Sequence, residues 1–526
     1  MIIEFGIFSS EEELESHETV EIEKQKVISF WEEMTSKIKV KTPVASMNIL
    51  LNGWLLYQTM VSRLWGRTSF YQAGGAFGFR DQLQDSLILL YYAPELTRKQ
   101  ILYHAKHQFK EGDVLHWWHP EKDNGIRTRY SDDLLWLPYI LCEYVEKTED
   151  FSILSEEVPY VQMDLLNEDE NEKYEKTTSS IETESIYLHA KRAIEKSLSF
   201  GEHGLPKMGS GDWNDGMNQV KGESVWLGFF LYEVLKHFCQ LCEMKQDKDI
   251  ERYVKTMDEL KKSLNENAWD GRWYKRAYYK DGQAMGSHEN EECKIDGISQ
   301  SWSVISGAGE IEKQRVAMER LDNYLVHRES RIIHLLTPAF HSDEKNPGYI
   351  KCYIPGVREN GGQYTHGAVW SILAMAKLHE REKAFEYFCM LNPIEHARNK
   401  ENTLIYKVEP YVVAADIYSA TNMLGRGGWT WYTGSSSWLF IAGLEGILGV
   451  KKEGDVLEIS PCIPNDWENY EVNLSVGKAK YLICVYQMEH QNSSIKTIYV
   501  DNNPIQTNRI HMVDDGKKHR VDVILE

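Results

Sequence analysis

Met208-Gly-Ser-Gly-Asp-Trp-Asn-Asp-Gly-Met217 joins two segments, 183–200 and 223–243, whose apolar residues recur at helical spacing. The glycines of this loop allow positive φ angles and the close approach of a ligand to the backbone. The loop also carries an indole that could contact a sugar ring, and two carboxylates, Asp212 and Asp215, either of which could deliver a proton. A sugar site is one interpretation of these residues. A helix-capping Asp in an ordinary glycine-rich turn is the other, because Asp and Gly are common in turns.

Most of the chain consists of helical segments joined by long loops that are rich in aromatic residues or glycine. No alternation of strands with helices is visible, so we predict a mainly helical fold, a toroid whose loops build one face. We expect helices at 19–38, 49–65, 95–109, 183–200, 223–243, 248–267, 309–326, 365–378, 380–391 and 433–447. The acidic stretch 164–183 indicates a solvated surface loop. From Asp455 onward, short alternating runs separated by Asn, Asp and Gly turns predict a small C-terminal β domain.

The length and charge of the chain restrict its domain organisation and the classes of partner that it can bind. The chain has 526 residues, more than one core normally serves, and a formal net charge of -21. Such an acidic chain, with no basic stripe, does not suit nucleic acid or an anionic membrane. Aromatic residues make up 12%, which fits flat faces for sugar rings as well as a large helical core. No apolar run reaches the ~18 residues of a transmembrane helix, and the N-terminus lacks a basic region followed by an apolar one, so we expect a cytoplasmic protein.

The cysteines and histidines do not form a metal-site pattern. Eight cysteines are scattered along the chain, so we expect reduced thiols. Cys239 and Cys242 form a CxxC pair, but they lie in an apolar helical pattern that indicates a buried core. His116 and His119 enclose two tryptophans without helical context, which argues against metal binding. We therefore predict no metal and no cofactor.

Charged side chains open a predicted helix in Gly78-Phe-Arg-Asp-Gln-Leu-Gln-Asp85. Their apolar neighbours indicate burial, and buried charges need partners. Arg80 with nearby carboxylates can recognise sugar hydroxyls, because each hydroxyl both donates and accepts a hydrogen bond. A structural ion pair is the alternative interpretation of the same residues.

Two further loops end where helices begin. The first runs from Cys352 to His366, and the second is Gly427-Gly-Trp-Thr-Trp-Tyr-Thr-Gly-Ser-Ser-Ser. Helix N-termini offer free N–H groups and the positive end of a dipole, so the hydroxyls of Thr433 and Ser435 beside His366 would make an anion site suited to phosphate. Ordinary helix capping by Thr or Ser is the alternative.

Five motifs occur in order between residues 71 and 438: Gly-Phe-Arg-Asp-Gln-Leu-Gln-Asp, His-Trp-Trp-His-Pro, Asp-Trp-Asn-Asp-Gly-Met-Asn, Arg-Glu-Asn-Gly-Gly-Gln-Tyr-Thr-His and Trp-Tyr-Thr-Gly-Ser. Together they resemble glycoside hydrolase family 94, formerly glycosyltransferase family 36. This is the cellobiose phosphorylase type, which includes the C-terminal part of cyclic β-1,2-glucan synthases. The resemblance implies an (α/α)6 barrel with a C-terminal β domain and inverting phosphorolysis of a β-glucan or β-linked disaccharide. It also implies inorganic phosphate as co-substrate and a homodimer as a candidate oligomeric state.

The resemblance assigns roles to individual positions. The general acid falls on Asp215, and the phosphate ligands fall on His366, Thr433 and Gly434. The implied donor-sugar contacts are Arg80, Asp85, Trp213, Tyr353 and Glu359. The chemistry is consistent with one acid, because an inverting hydrolase needs a second carboxylate to activate water, whereas phosphate is itself an anionic nucleophile.

The sequence also departs from the family. Phosphorylases of this type carry a large N-terminal β-sandwich, which we expect to be missing here, with the strand-like residues 2–8 as its last strand. We therefore divide the chain into a remnant strand and linker helices (1–40), the barrel (41–450) and the β domain (451–526). The Arg-Asp-Gln-Leu-Gln-Asp motif is closer to the cyclic glucan synthase branch. A plain inverting glycoside hydrolase, or an inactive module that binds glucan or controls chain length, remains an alternative function.

Overall fold

A computed structural model describes residues 17–67, 75–342, 345–431, 433–488 and 494–526. The strand predicted at 2–8 lies outside the described residues. In the described part of the chain no helix is long and apolar enough to cross a membrane, and no group of His, Cys, Asp and Glu side chains is arranged to hold a metal ion.

Within these ranges, six helices form an inner ring in which each helix contacts the next and the last contacts the first. They are Phe79–Asp85, Trp136–Thr148, Val225–Lys245, Gly297–Ile305, Thr365–Lys377 and Ser435–Ile441. Each of the last five helices carries one buried tryptophan; these are Trp136, Trp226, Trp302, Trp370 and Trp438. The indole of Trp370 lies 5.3 Å from that of Trp302 and 5.8 Å from that of Trp438, measured between ring centroids. The axis of the ring is therefore filled with aromatic side chains.

Outer helices pack against this ring. They are Pro94–Ala105, Ile186–Ser197, Ile250–Glu266, Ile311–Leu325, Arg381–Leu391 and a composite helix of Ala45–Ile49, Leu50–Trp54, Leu55–Gln58 and Thr59–Trp65, of which the second and fourth parts are π-helical. Ile250–Glu266 illustrates their amphipathic character, since it buries Tyr253, Leu260 and Leu264 and exposes much of the opposite face. The double ring has the (α/α)6 architecture, and the predicted mainly helical fold with a small β domain is confirmed.

The C-terminal β domain contains a six-stranded sheet and a three-stranded sheet. The larger sheet has the strand order Ile38–Lys41, Asn469–Val476, Ala479–Gln487, Lys518–Leu525, Ile495–Val500 and Asn503–Ile505. The smaller sheet has the order Val450–Glu453, Val456–Ile459 and Arg509–His511. The edge strand Ile38–Lys41 of the larger sheet comes from the other end of the chain and pairs antiparallel with Asn469–Val476. The sequence pattern did not predict this strand, because four residues are too few to show a period against the preceding helix His17–Ser36.

Shorter elements connect the helices of the barrel. The short strands are Phe77–Gly78, Leu115–His119, Asn124–Thr128, Glu157–Gln162, Glu172–Lys176, Thr178–Ser185, Glu223–Ser224, Ala277–Tyr278, Ala284–Met285, Ile295–Asp296, Val326–His327, Ile332–Ile333, Leu336–Thr337, Gln363–Tyr364 and Asp416–Ile417. The short helices are Leu89–Tyr92, Asp133–Leu135, Phe151–Ser155, Asp215–Met217, Tyr349–Cys352, Glu395–Ala397, Lys400–Tyr406, Thr421–Met423 and the π-helical Ala442–Ile447.

The prediction that 164–183 is a plain surface loop is wrong in part. The strand Glu172–Lys176 pairs with Asn124–Thr128, and the strand Thr178–Ser185 pairs with Glu157–Gln162. Most side chains of these strands are exposed. A strand exposed on both faces has no alternation of apolar and polar residues, and that alternation is the signal by which strands are predicted.

Candidate active site

The loop 208–217 is fixed to the barrel by a buried ion pair. Arg276 donates hydrogen bonds of 2.6 and 2.7 Å to the two carboxylate oxygens of Asp212, and both side chains are fully buried. Asp212 also accepts a 2.7 Å hydrogen bond from the Ser224 hydroxyl. With its oxygens occupied by these donors, Asp212 anchors the loop, and Asp215 is the carboxylate that reaches solvent.

Two glycines let this loop approach the segment 129–131. Gly209 has a φ angle of 64°, and a Cβ atom there would overlap the carbonyl oxygen of Arg129. Gly211 has a φ angle of 149°, and a Cβ atom there would overlap the ring of Tyr130. The close approach lets the Ser131 N–H donate a 3.0 Å hydrogen bond to the Gly211 carbonyl. Glycine is therefore required here by backbone geometry.

Asp215 lies at the mouth of a cavity and contacts two cationic side chains. Its side chain is 32% exposed, and its Oδ1 accepts a 2.6 Å hydrogen bond from Nη2 of Arg80. Its Oδ2 lies 3.8 Å from Nε2 of His116. The cavity has a volume of about 470 Å³ and is lined by Ala76, Gly78, Asp81, His116, Trp117, His119, Ile126, Tyr130, Glu172, Asp215 and Tyr349. A partly exposed carboxylate that lines such a cavity can reach a bound substrate.

Arg80 is buried among carboxylates. Its Nη1 donates hydrogen bonds of 3.1 and 3.2 Å to the two oxygens of Asp132 and one of 3.2 Å to the carbonyl of Asp212. Asp132 directly precedes the short helix Asp133–Leu135, but its side chain makes no capping hydrogen bond. It instead accepts hydrogen bonds from Arg80 and from the Trp136 indole. Arg80 thus joins the loop of Asp215 to the start of an inner helix.

His116 is a functional candidate that the sequence did not suggest. Its Nδ1 lies 2.7 Å from Oδ2 of Asp133, and its ring stacks on Tyr130 at 4.5 Å. Burial lowers the pKa of His116, but the carboxylates of Asp133 and Asp215 outweigh burial and raise it to about 9. His116 is therefore an imidazolium at neutral pH. The sequence signal for it was its position in the His-Trp-Trp-His-Pro motif, which contributes to the family resemblance but to which that resemblance assigned no site residue.

Asp85 lies between Arg80 and the loop of Gly434. Its Oδ2 accepts a 2.8 Å hydrogen bond from Nε of Arg63, whereas its buried Oδ1 has no hydrogen-bond partner among the described residues. Burial raises the pKa of Asp85 to about 7. A Cβ atom on Gly434 would lie 3.7 Å from Oδ1 of Asp85. This oxygen is free to bind a hydroxyl group.

His366 faces the loop of Gly434, and its Nδ1 has no hydrogen-bond partner among the described residues. Its Nε2 lies 3.0 Å from the side-chain oxygen of Gln84, which also accepts a 3.0 Å hydrogen bond from the Trp438 indole. Since that oxygen can only accept, the proton of His366 is on Nε2. Burial lowers the pKa of His366 to about 3. The free Nδ1 lies 3.7 Å, and Cε1 lies 3.5 Å, from the position of a Cβ atom on Gly434.

Thr433 and Gly434 precede the helix Ser435–Ile441. The hydroxyl of Thr433 lies 2.7 Å from that of Ser435 and accepts a 3.2 Å hydrogen bond from the Ser435 N–H. The sequence placed His366 and this loop 67 positions apart, and the structure brings them together at one end of the barrel. The role of these residues in binding phosphate stays a prediction.

Tyr353 and Glu359 are linked by Arg358. Nε of Arg358 lies 3.3 Å from Oε2 of Glu359, and its guanidinium lies 4.9 Å from the centre of the Tyr353 ring. Burial raises the pKa of Glu359 and of Tyr353, and the charge of Asp215 adds to the rise in both. The two side chains therefore belong to the same charged environment as Asp215.

Trp213 is less accessible than its predicted sugar contact would require. It is 5% exposed and packs 5.4 Å from His366, 5.2 Å from Trp370 and 5.6 Å from Tyr364, between ring centroids. It forms the floor below the loop of Asp215. A direct contact between Trp213 and sugar stays a prediction.

The catalytic-domain model of the glycosyl hydrolase 94 superfamily matches residues 30–449. The chain belongs to this family. Cyclic beta-(1,2)-glucan synthase NdvB of Rhizobium meliloti (strain 1021) is 46% identical to this family 94 chain over 463 residues, which cover 87% of this chain and 16% of that protein. N,N'-diacetylchitobiose phosphorylase of Vibrio proteolyticus is 30% identical over 530 residues, which cover 94% of this chain and 63% of that protein.

The chain thus spans less than two thirds of the length of both relatives. Among solved structures, the family GH78 rhamnosidase of Bacillus sp. GL1 matches with a TM-score of 0.54 and 14% identity, over 93% of this chain and 44% of that one. At this identity the similarity concerns the fold alone. It agrees with the double ring of helices in the family 94 chain.

Proposed function

We propose that the chain catalyses inverting phosphorolysis of a β-linked glucose oligosaccharide. Asp215 donates its proton to the glycosidic oxygen while a phosphate oxygen attacks C1 from the opposite face. The bond between C1 and the leaving oxygen breaks, a bond between C1 and phosphate forms, and the products are α-glucose 1-phosphate and the shortened sugar. The reverse reaction makes the glycoside.

The proximity of His366 to the loop of Thr433 and Gly434 carries this proposal. A small anion between them would accept hydrogen bonds from a hydroxyl and from N–H groups at the start of a helix, and a P–OH group of hydrogen phosphate would donate to Nδ1 of His366, whose Cε1 lies 3.5 Å from the position of a Gly434 Cβ atom. The pocket of Asp215 is linked to this cradle through Arg80 and the helix Phe79–Asp85. An acid on one side and an anion cradle on the other supply what phosphorolysis requires.

Two cationic side chains orient the acid. In the ligand-free site, Arg80 donates a 2.6 Å hydrogen bond to Oδ1 of Asp215, so Oδ2 is the oxygen left to carry the proton to the glycosidic oxygen. His116 is an imidazolium held by Asp133, and its Nε2 lies 3.8 Å from Oδ2 of Asp215. We propose that Arg80 and His116 position the carboxyl group of Asp215, which regains its proton from solvent after each turnover.

The donor pocket would hold the transferred glucose by its hydroxyl groups. Arg80, Glu359 and the free oxygen of Asp85 supply donors and acceptors for hydroxyls, and Tyr353 supplies an aromatic face. A relative of 46% identity is named for cyclic β-(1,2)-glucan, so β-1,2-linked glucan is the substrate to test first. A chitobiose phosphorylase among the relatives makes β-linked disaccharides the second group.

Product analysis with and without phosphate tests the proposed reaction. ³¹P NMR should detect α-glucose 1-phosphate from β-1,2-glucan and phosphate, and no reducing sugar should appear without phosphate. Sugar release that does not depend on phosphate would support an inverting hydrolase instead. Saturable glucan binding without turnover in either direction would support an inactive binding or chain-length-controlling module. Light scattering of the purified chain tests the predicted homodimer.

A further inference from the structure

A second cavity, of about 350 Å³, lies at the end of the barrel opposite Asp215. The inner helices begin at the active site, and their later turns line this cavity. Thr365–Lys377, for example, carries His366 in its first turn and Lys377 at its end, which are about 16 Å apart at a rise of ~1.5 Å per residue. Lys451 and Glu458 of the C-terminal β domain close the cavity from below.

The cavity combines apolar walls with charged groups. Its apolar lining is Leu87, Tyr139, Ile305, Leu373, Ala376, Trp438 and Ile441. Its charged lining includes Glu143, Lys147, Glu233, His237, Lys377, Glu445, Lys451 and Glu458. Trp438 separates the two ends of the barrel, because its indole N–H donates to Gln84 beside His366 while its ring lines the second cavity.

Most of the charged groups already have partners within the protein. Lys147 donates a 2.9 Å hydrogen bond to Glu445, and Lys451 donates a 2.8 Å hydrogen bond to Glu146. His237 lies between two carboxylates, 3.1 Å from Glu233 and 3.2 Å from Glu146. These cations are therefore committed, and an anionic ligand would find no free cation among them.

The Tyr139 hydroxyl and the Glu143 carboxylate, both in the lining, make no hydrogen bond within the described part of the chain. Tyr139 is only 8% exposed, yet its hydroxyl has no hydrogen-bond partner in the described part of the chain. The carboxylate of Glu143 also accepts no hydrogen bond from the described residues, and its nearest cation, Lys147, is 3.9 Å away. Tyr139 and Glu143 are four residues apart on the helix Trp136–Thr148, so their side chains lie on the same face. Burial raises the pKa of Glu143, as expected for a carboxylate with too few donors.

We propose that this cavity is a second ligand site, which binds a neutral polyhydroxylated molecule the size of one hexose ring. Hydroxyl groups would donate to Glu143 and exchange hydrogen bonds with Tyr139, and the C–H faces of the ring would contact the apolar walls. A cationic ligand is disfavoured because Lys147 and Lys377 face the same space. A volume of about 350 Å³ lies within the ~300–1,000 Å³ of small-molecule sites.

This site is independent of the reaction at Asp215, so binding without phosphate is the appropriate test. We would measure the binding of labelled D-glucose to the full chain by equilibrium dialysis and compare Tyr139→Phe and Glu143→Gln with the wild type. The control is Glu149→Gln, an exposed carboxylate at the end of the same helix and outside the lining. We expect Glu143→Gln to weaken one class of glucose sites about 10–100-fold, as for the loss of a hydrogen bond to a charged group, and Tyr139→Phe to weaken it about 2–10-fold, as for the loss of a neutral hydrogen bond. The control should bind like the wild type.

A crystal structure with D-glucose should show the sugar within hydrogen-bond distance of Tyr139 and Glu143. A cavity holding only water at glucose concentrations that saturate the active site would overturn the proposal. So would unchanged binding in both cavity variants, or binding of spermidine, used as a cationic probe, in place of glucose. If the active site failed to bind glucose, equilibrium dialysis should still detect one glucose site per chain in the wild type, which is the second cavity. That site should be weakened or lost in the cavity variants. That outcome separates this inference from the proposed function.

Discussion

Asp215 has both an arginine and an imidazolium as neighbours and, unlike Asp133, which contacts the same two side chains but is buried, it is partly exposed. We expect Asp215→Asn to lower kcat in both directions about 10²–10⁴-fold, because general acid catalysis contributes that much. Sugar binding should change little. Turnover with disaccharide and with an aryl glucoside checks this, since a good leaving group needs no proton and should be less affected. Retention of most activity on the disaccharide would contradict the assignment.

His366 and Thr433 should affect phosphate more than sugar. We expect His366→Ala to raise the KM for phosphate about 10–100-fold, the loss of a hydrogen bond to a charged group, and Thr433→Ala to raise it several-fold. Phosphate titrations of the purified variants, with sugar binding measured in the absence of phosphate, provide the test. An equal loss of sugar and phosphate binding in His366→Ala would make the residue structural.

His116 should make the free energy of unfolding fall as the pH rises into the alkaline range. The carboxylates of Asp133 and Asp215 raise the pKa of His116 to about 9 despite burial, compared with ~6.5 in the unfolded chain. A raised pKa gives stabilisation that is complete below about pH 6.5 and is lost as the pH rises through about 9. We expect the free energy of unfolding to fall by at most about 3 kcal/mol over this window. Urea unfolding between these pH values should show the fall in the wild type and in His511→Gln, whose imidazole is exposed, and no such fall in His116→Gln.

At the scale of elements, the loop 208–217 depends on the buried pair of Asp212 and Arg276. We expect Asp212→Asn to lower the free energy of unfolding by about 3–5 kcal/mol, because one partner of a buried ion pair is left uncompensated. Urea unfolding measures the change. Glu259→Gln is the matched control, since it breaks an exposed pair with Lys255 and should cost under about 1 kcal/mol. Similar losses in the two variants would refute the anchoring role of Asp212.

The long helices were predictable because their apolar period extends over many residues, as in Ile250–Glu266, which was expected at 248–267. The strand Ile38–Lys41 was not, because its pairing partner lies more than 400 positions away. The site shows the same limit. The sequence suggested Arg80 and Asp215 as separate residues, but it gave no sign that His116 would pair with Asp133 or that Asp132 would hold Arg80. Such pairs are created by tertiary contacts, which a single sequence does not record.

At the scale of the whole molecule, the strand Ile38–Lys41 joins the chain before the barrel to the β domain after it. Ile38 is fully buried and lies opposite Leu474 in the sheet. We expect Ile38→Ala to lower the free energy of unfolding by about 2–5 kcal/mol, because it leaves a cavity in a packed core. Ile22→Ala, which truncates an isoleucine that is 50% exposed on the preceding helix, should change it by under about 0.5 kcal/mol. Because the strand links both domains, far-UV circular dichroism and tryptophan fluorescence should report one shifted urea transition in Ile38→Ala. Two separate transitions, with only the β domain destabilised, would show that the barrel and the β domain unfold independently.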